Sequence, residues 1–137
     1  MMAGSERDEI LGVIRSCLAE SMALDPAAIT LPSRLVEDLG VDSLDLFELI
    51  YTLEKALDVR LQGGEIAALA KLEFSRDRLT PDGYLLPADV DQLVQWLPAL
   101  AASEERHRLY PRRRAAFITV ESLVILVERR RAAARAK

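Results

Sequence analysis

Few residues in this chain have the chemistry for catalysis. Its single cysteine, Cys17, and single histidine, His107, stand far apart in 137 residues. One cysteine forms no intrachain disulfide, and this pair cannot complete a four-ligand zinc site. Cys17 falls beside an apolar helical face and is expected to be a small core residue. His107 sits in the basic run 104–114 without ligand partners, so no metal site and no catalytic residue are expected. The informative stretch is Glu37-Asp38-Leu39-Gly40-Val41-Asp42-Ser43-Leu44-Asp45. Asp42 can accept from unpaired backbone N–H groups, and Asp45, three residues on, adds a second carboxylate at the positive helix end. On these residues alone, Asp42 and Ser43 could be merely a cap, because both types are favoured there in any helix.

The elements that must position Ser43 follow from periodicity. Ile10, Leu11, Ile14, Leu18 and Met22 recur at helical spacing, predicting a first helix over Glu9 to Met22. Asp25-Pro26 and Leu31-Pro32 break it and begin a loop, which ends in a short turn from Leu35 to Gly40. Leu46, Ile50, Leu53 and Leu57 then line one face of a second helix whose outer side is acidic. Beyond Gly63-Gly64 comes a short apolar stretch, Ile66 to Leu72. A Pro81-Asp82-Gly83 turn that could pair two brief extended pieces follows it. Val90, Leu93, Val94 and Leu97 predict a helix over Ala88 to Leu97, ended by Pro98, whose stripe is expected to pack on the bundle with cover from Trp96. Residues 104–114 read as a polar surface loop. The last helix starts near Thr119, a plausible cap, and carries Val120, Leu123, Val124 and Val127 inward.

Half the residues are apolar, 5% are aromatic and 29% are charged, which fits one helical domain and makes a sandwich or barrel improbable. The N-terminal MMAGSERDEI has charges where a signal peptide would be apolar, and no run reaches the ~20 apolar residues of a membrane span. A cytoplasmic protein without stable membrane insertion is expected. The net charge of −4 is uneven: residues 1–65 carry 5 basic and 13 acidic groups, the remainder 13 and 9. The acidic half argues against nucleic acid and suits basic protein partners. The arginines at 112–114 and 129–131 could touch phosphate, an anionic headgroup or the protein's own acidic half, with a solvated terminus preferred.

The Asp-Leu-Gly-Val-Asp-Ser-Leu run before an amphipathic acidic helix resembles the acyl carrier proteins. The resemblance extends from about Ile10 to Leu61 and resumes at Thr119 to Val127. It implies an all-α, four-helix bundle with extra helical material inserted between the second and last helices. A single carrier domain is expected over 1–137, with its core at 5–61 and 118–131, an insertion at about 62–117 and a basic tail at 129–137. By the same resemblance, Ser43 bears a 4'-phosphopantetheine arm, flanked by Asp42 and Leu44 as cofactor-side residues. Asp45, Glu48, Glu37 and Asp38 would be gripped by partners. A surface serine at a helix start suits a phosphodiester, and it needs no local base because the modifying transferase supplies base and magnesium. The protein would carry an acyl thioester for a lipid, fatty-acid or polyketide-type pathway without catalysis. Its expected partners are a phosphopantetheinyl transferase and acyl-loading and acyl-processing enzymes, and it would be monomeric. Leu46, Phe47, Ile50, Leu53, Val124 and Val127 would line the interior. Lys55 and Ala56, the long insertion and the basic C-terminus depart from the family pattern. A peptidyl or amino-acid carrier, or an unmodified carrier-shaped interaction module, are the alternative readings.

Overall fold

The periodic segments are helices in the computed structural model, which describes residues 4–61 and 79–135. Helix α1 (Gly4–Met22) turns Ile10, Ile14, Cys17 and Leu18 inward. It begins five residues before the predicted start at Glu9, because its first turns are held by ion pairs rather than by burial. Arg7 makes a two-pronged contact with Glu128 (Nε–Oε2 3.0 Å, Nη2–Oε1 3.1 Å) and a third bond to Glu121 at 3.2 Å. Arg131 reaches Glu9 at 3.1 Å and Glu6 at 3.4 Å, and also donates to the Leu57 carbonyl. Arg135 bonds Glu6 at 2.8 Å. Arg131 and Arg135 are therefore paired within the molecule and not merely solvated. The chain's own acidic first helix binds Arg131 and Arg135, within a helix that runs to residue 135.

Helix α2 (Ser43–Leu57) buries Leu49, Ile50, Leu53 and Leu57. The expected interior residue Phe47 is instead 52% exposed, and Leu46 is only half-buried. The core-facing stripe runs through 46, 49, 50, 53 and 57, and Phe47 lies one helical step outside it. Asp42 caps α2 as expected: its Oδ1 accepts from the Asp45 N–H at 2.8 Å, and Asp45 Oδ2 accepts from the Asp42 N–H at 3.1 Å. This reciprocal box satisfies two donors at the helix start. The Asp45 N–H also holds the Asp42 carboxyl below its ordinary value of 3.8.

Between α2 and the last helix, the Thr80–Gly83 turn closes a bridge between Leu79 and Leu85, as the Pro-Asp-Gly signal predicts. Helix α3 (Pro87–Val94) stops three residues early, and Trp96 and Leu97 then fold inward before the short α4 (Pro98–Ala101). Val90, Leu93, Trp96, Leu97 and Leu100 join the same apolar cluster as Leu53 and Val124, so the stripe packs on the bundle. Residues 104–114 are more than a surface loop. Two 3-10 turns, Glu104–His107 and Pro111–Phe117, flank a buried Leu109, and Arg114 is buried with its Nε donating to the Pro111 carbonyl at 2.6 Å. Helix α5 (Val120–Arg135) begins with Thr119 and Ser122 bonding each other's amides at 3.1 Å, the cap anticipated at Thr119. The expected Ile66–Leu72 element lies outside the described residues.

Two outcomes are expected from this packing. Leu93→Ala, at a site only 7% exposed, should cost about 2–5 kcal/mol, read from denaturant melts. Asp42→Ala should accelerate amide exchange at Asp45 and Leu46, whereas Asp42→Asn keeps the acceptor and should not. Because the folded carboxyl of Asp42 is depressed, its contribution is complete above the ordinary value of 3.8 and is lost as pH falls through the lower folded value. Fraying of the first turn of α2 on acidification, reduced in Asp42→Asn, would show this in pH-dependent exchange.

Candidate functional site

The loop before α2 is pinned by backbone bonds on both sides. Leu35 donates its N–H to the Ile118 carbonyl at 3.0 Å, and its own carbonyl accepts from Val41 at 2.8 Å. Arg34 and Thr119 form an antiparallel bridge, and Val120 donates to Ser33 at 3.0 Å. Asp38 and Leu39 both donate to the Arg34 carbonyl, and the turn closes at Gly40, whose φ of +72° suits glycine. Val41 is buried, which leaves Asp42 and Ser43 at the exit of a fixed turn.

Ser43 is the first residue of α2, and the residues on either side of it, Asp42 and Leu44, are exposed. Leu44 is 78% exposed, the most open of the large apolar residues among those described. The first intrahelical bond runs from Leu46 to the Asp42 carbonyl at 2.9 Å, so α2 is regular from its first turn. Its cap donors at Asp42 and Asp45 are already satisfied by the box. A regular helix start with exposed residues on both sides of its first position is a setting that suits an anion.

The other predicted residues divide. Glu48 is exposed on α2, and Asp45 is half-buried in the capping box. Asp38 serves the turn: its Oδ2 accepts from the Arg34 N–H at 2.8 Å. Glu37 lies between two guanidinium groups, 3.8 Å from Arg34 and 3.7 Å from Arg113. Of the expected lining, Ile50, Leu53, Val124 and Val127 are wholly buried.

Periodicity missed one part of this surface. Leu44, Phe47 and Tyr51 lie at i, i+3 and i+7, and all three are more than half exposed, with the Lys55 ammonium 5.1 Å from the Tyr51 ring. Their spacing was visible, but apolar spacing is also the mark of a core face. Only the fuller run 46, 49, 50, 53 and 57 shows which stripe turns inward. Cys17 is buried, which pushes its thiol pKa up, and His107 is exposed beside Arg106. Among the described residues, no helix is long and apolar enough to cross a membrane.

The family model described as the phosphopantetheine attachment site matches residues 12–73, a span containing the turn, the capping box and α2. An acyl carrier protein of Borrelia garinii subsp. bavariensis is 43% identical over 60 residues, covering 44% of this chain and 75% of the relative. The acyl carrier protein of Campylobacter concisus is 37% identical over 60 residues, covering 44% of this chain and 78% of the relative. No solved structure matched. With a capped, solvent-facing helix start inside the matched span and three quarters of a 43%-identical relative covered, the chain belongs to the acyl carrier protein family, non-catalytic carriers whose prosthetic group is a covalently attached 4'-phosphopantetheine.

Proposed function

We propose that Ser43 is the attachment residue and that the protein carries acyl groups for a dedicated lipid, fatty-acid or polyketide-type pathway. The observation that carries this reading is Ser43 at the first residue of α2, between exposed Asp42 and Leu44 and inside the matched span. When bound, the arm supplies a terminal thiol that holds the acyl group as a thioester. The chain's own residues do the rest. The Asp42–Asp45 box keeps the attachment turn formed, and the Leu35–Ile118 bond keeps it in place on the bundle.

Asp45 and Glu48 would draw the basic faces of a phosphopantetheinyl transferase and of acyl-processing enzymes. Exposed carboxylates chiefly set encounter rate and specificity. The domain is read as a carrier core at 5–61 and 118–131 with an insertion at about 62–117. The packing of α5 against α1 through Arg7, Glu121 and Glu128 supports that division. A monomer working in the cytoplasm without nucleic acid fits the acidic first half of the chain.

Incubation of the full chain with coenzyme A, magnesium and a broad phosphopantetheinyl transferase should add one phosphopantetheine to the intact mass. Ser43→Ala should gain nothing while melting like the wild type. A wild type left unmodified under conditions that convert a control carrier would overturn the reading.

A further inference from the structure

The chain between α2 and α5 carries a groove of about 330 Å³, at the lower end of the range for small-molecule sites. Pro87, Val90 and Val94 share one face of α3 at i, i+3 and i+7 and form its apolar wall, together with the buried Leu85. Asp91 lies on the same face of α3, and the Glu104–His107 turn supplies Arg106 and His107 opposite. The two sides are tied by hydrogen bonds. Leu85 donates its N–H to the Leu109 carbonyl at 2.8 Å, and Arg106 Nη1 donates to the Ala101 carbonyl at 2.8 Å.

The polar side of the groove has a definite chemistry. Arg106 donates through Nε to His107 Nε2 at 3.4 Å, which leaves Nη2 of Arg106 and Nδ1 of His107 to donate to a ligand. Asp91 is an exposed acceptor, and among the described residues neither Asp91 nor Arg106 is ion-paired. An anionic head would gain Arg106 and be opposed by Asp91, and a cationic head would meet the reverse. An aliphatic chain ending in a neutral carbonyl and an amide satisfies both groups while its hydrocarbon covers the apolar wall. The acylated end of a phosphopantetheine arm has this composition: hydrocarbon, a thioester carbonyl and an amide N–H. One chain of contacts joins the groove to the loop before Ser43, because Glu105, next to Arg106, is held at 2.7 Å by Arg113, whose Nη1 lies 3.7 Å from Glu37.

We propose that this groove is the binding site for the acyl chain and its thioester end. Arg106 donates to the thioester carbonyl, Asp91 accepts from the amide of the arm, and Pro87, Val90 and Val94 cover the hydrocarbon. The inserted segment thus supplies a cargo site of its own, apart from the buried faces of α2 and α5. The inference rests on the carrier reading of Ser43.

The test titrates the unmodified full chain with octanoyl-N-acetylcysteamine and follows backbone amide shifts by NMR. Saturable shifts should centre on Leu85, Val90, Asp91, Val94 and His107, and those of Leu44, Phe47 and Tyr51 should stay in place. Octanoate should bind about fivefold more weakly, and Asp91→Asn should remove most of that difference. Arg106→Gln should weaken thioester binding about fivefold. A zwitterion also matches both charges, so 2-aminooctanoate is the competing ligand. The proposal is overturned if 2-aminooctanoate or octanoate binds the wild type as tightly as the thioester, if shifts centre on α2, or if no saturable binding occurs. In the chain loaded through coenzyme A, replacing an acetyl by an octanoyl group on the arm should move the same groove amides, and unmoved groove amides would equally overturn it. Failure of the wild type to be modified would instead remove the carrier reading and leave the titration of the unmodified chain to be read by itself.

Discussion

A carrier must hold its attachment residue still while leaving it open, and here a pair of main-chain bonds meets that demand. Leu35 donates to Ile118 and accepts from Val41, so the turn that delivers the polypeptide into α2 is tied to the strip that delivers it into α5. Each bond is modest by itself, with a net value of about 1 kcal/mol. Their effect is geometric. Leu35, Val41, Ile118 and Val120 are all buried around them, so slipping either strip by one residue would expose apolar surface and strand buried polar groups. The start of α2 therefore inherits the rigidity of the core, although Asp42 and Leu44 face solvent.

Beyond that strap, the molecule divides its charges by task. Near the termini, Arg7, Arg131 and Arg135 bind Glu6, Glu9, Glu121 and Glu128, joining α1 to α5. At the other contact, Arg34 and Arg113 serve the loop before α2. Three arginines of the second half, Arg113, Arg131 and Arg135, meet Glu37, Glu6 and Glu9 of the first. What remains uncovered at the start of α2 is a strip with Leu44, Phe47 and Tyr51 along it and carboxylates beside it. Such a strip, apolar with a charged border, is the composition of a surface that other proteins grip.

Much of this was legible in the residues. The α2 start was marked by Asp42 and Asp45 at capping spacing, and the α5 start by Thr119. The burial of Val90, Leu93 and Leu97 followed from their spacing. These are local signals, carried within a few positions. Phe47 was misread because a helix with apolar residues on more than one stripe does not announce which one meets the core. Arg113 and Arg131 were misread for a different reason. Their partners Glu37, Glu105, Glu6 and Glu9 include residues far away in sequence, and charge pairing at that range depends on tertiary packing that periodicity does not encode. Arg114 reads as one of three equivalent surface arginines, yet the 3-10 turn rotates it inward, with its Nε on the Pro111 carbonyl.

The central claim is that the first residue of α2 bears the arm, and site mapping tests it most directly. Trypsin cleavage after Arg34 and Lys55 releases the segment from Leu35 to Lys55, in which Ser43 is the sole serine. After treatment with coenzyme A and a transferase, the added phosphopantetheine should be found on this peptide, with fragment ions assigning it to Ser43. An arm located on any other peptide, or on Thr52 within this one, would contradict the account.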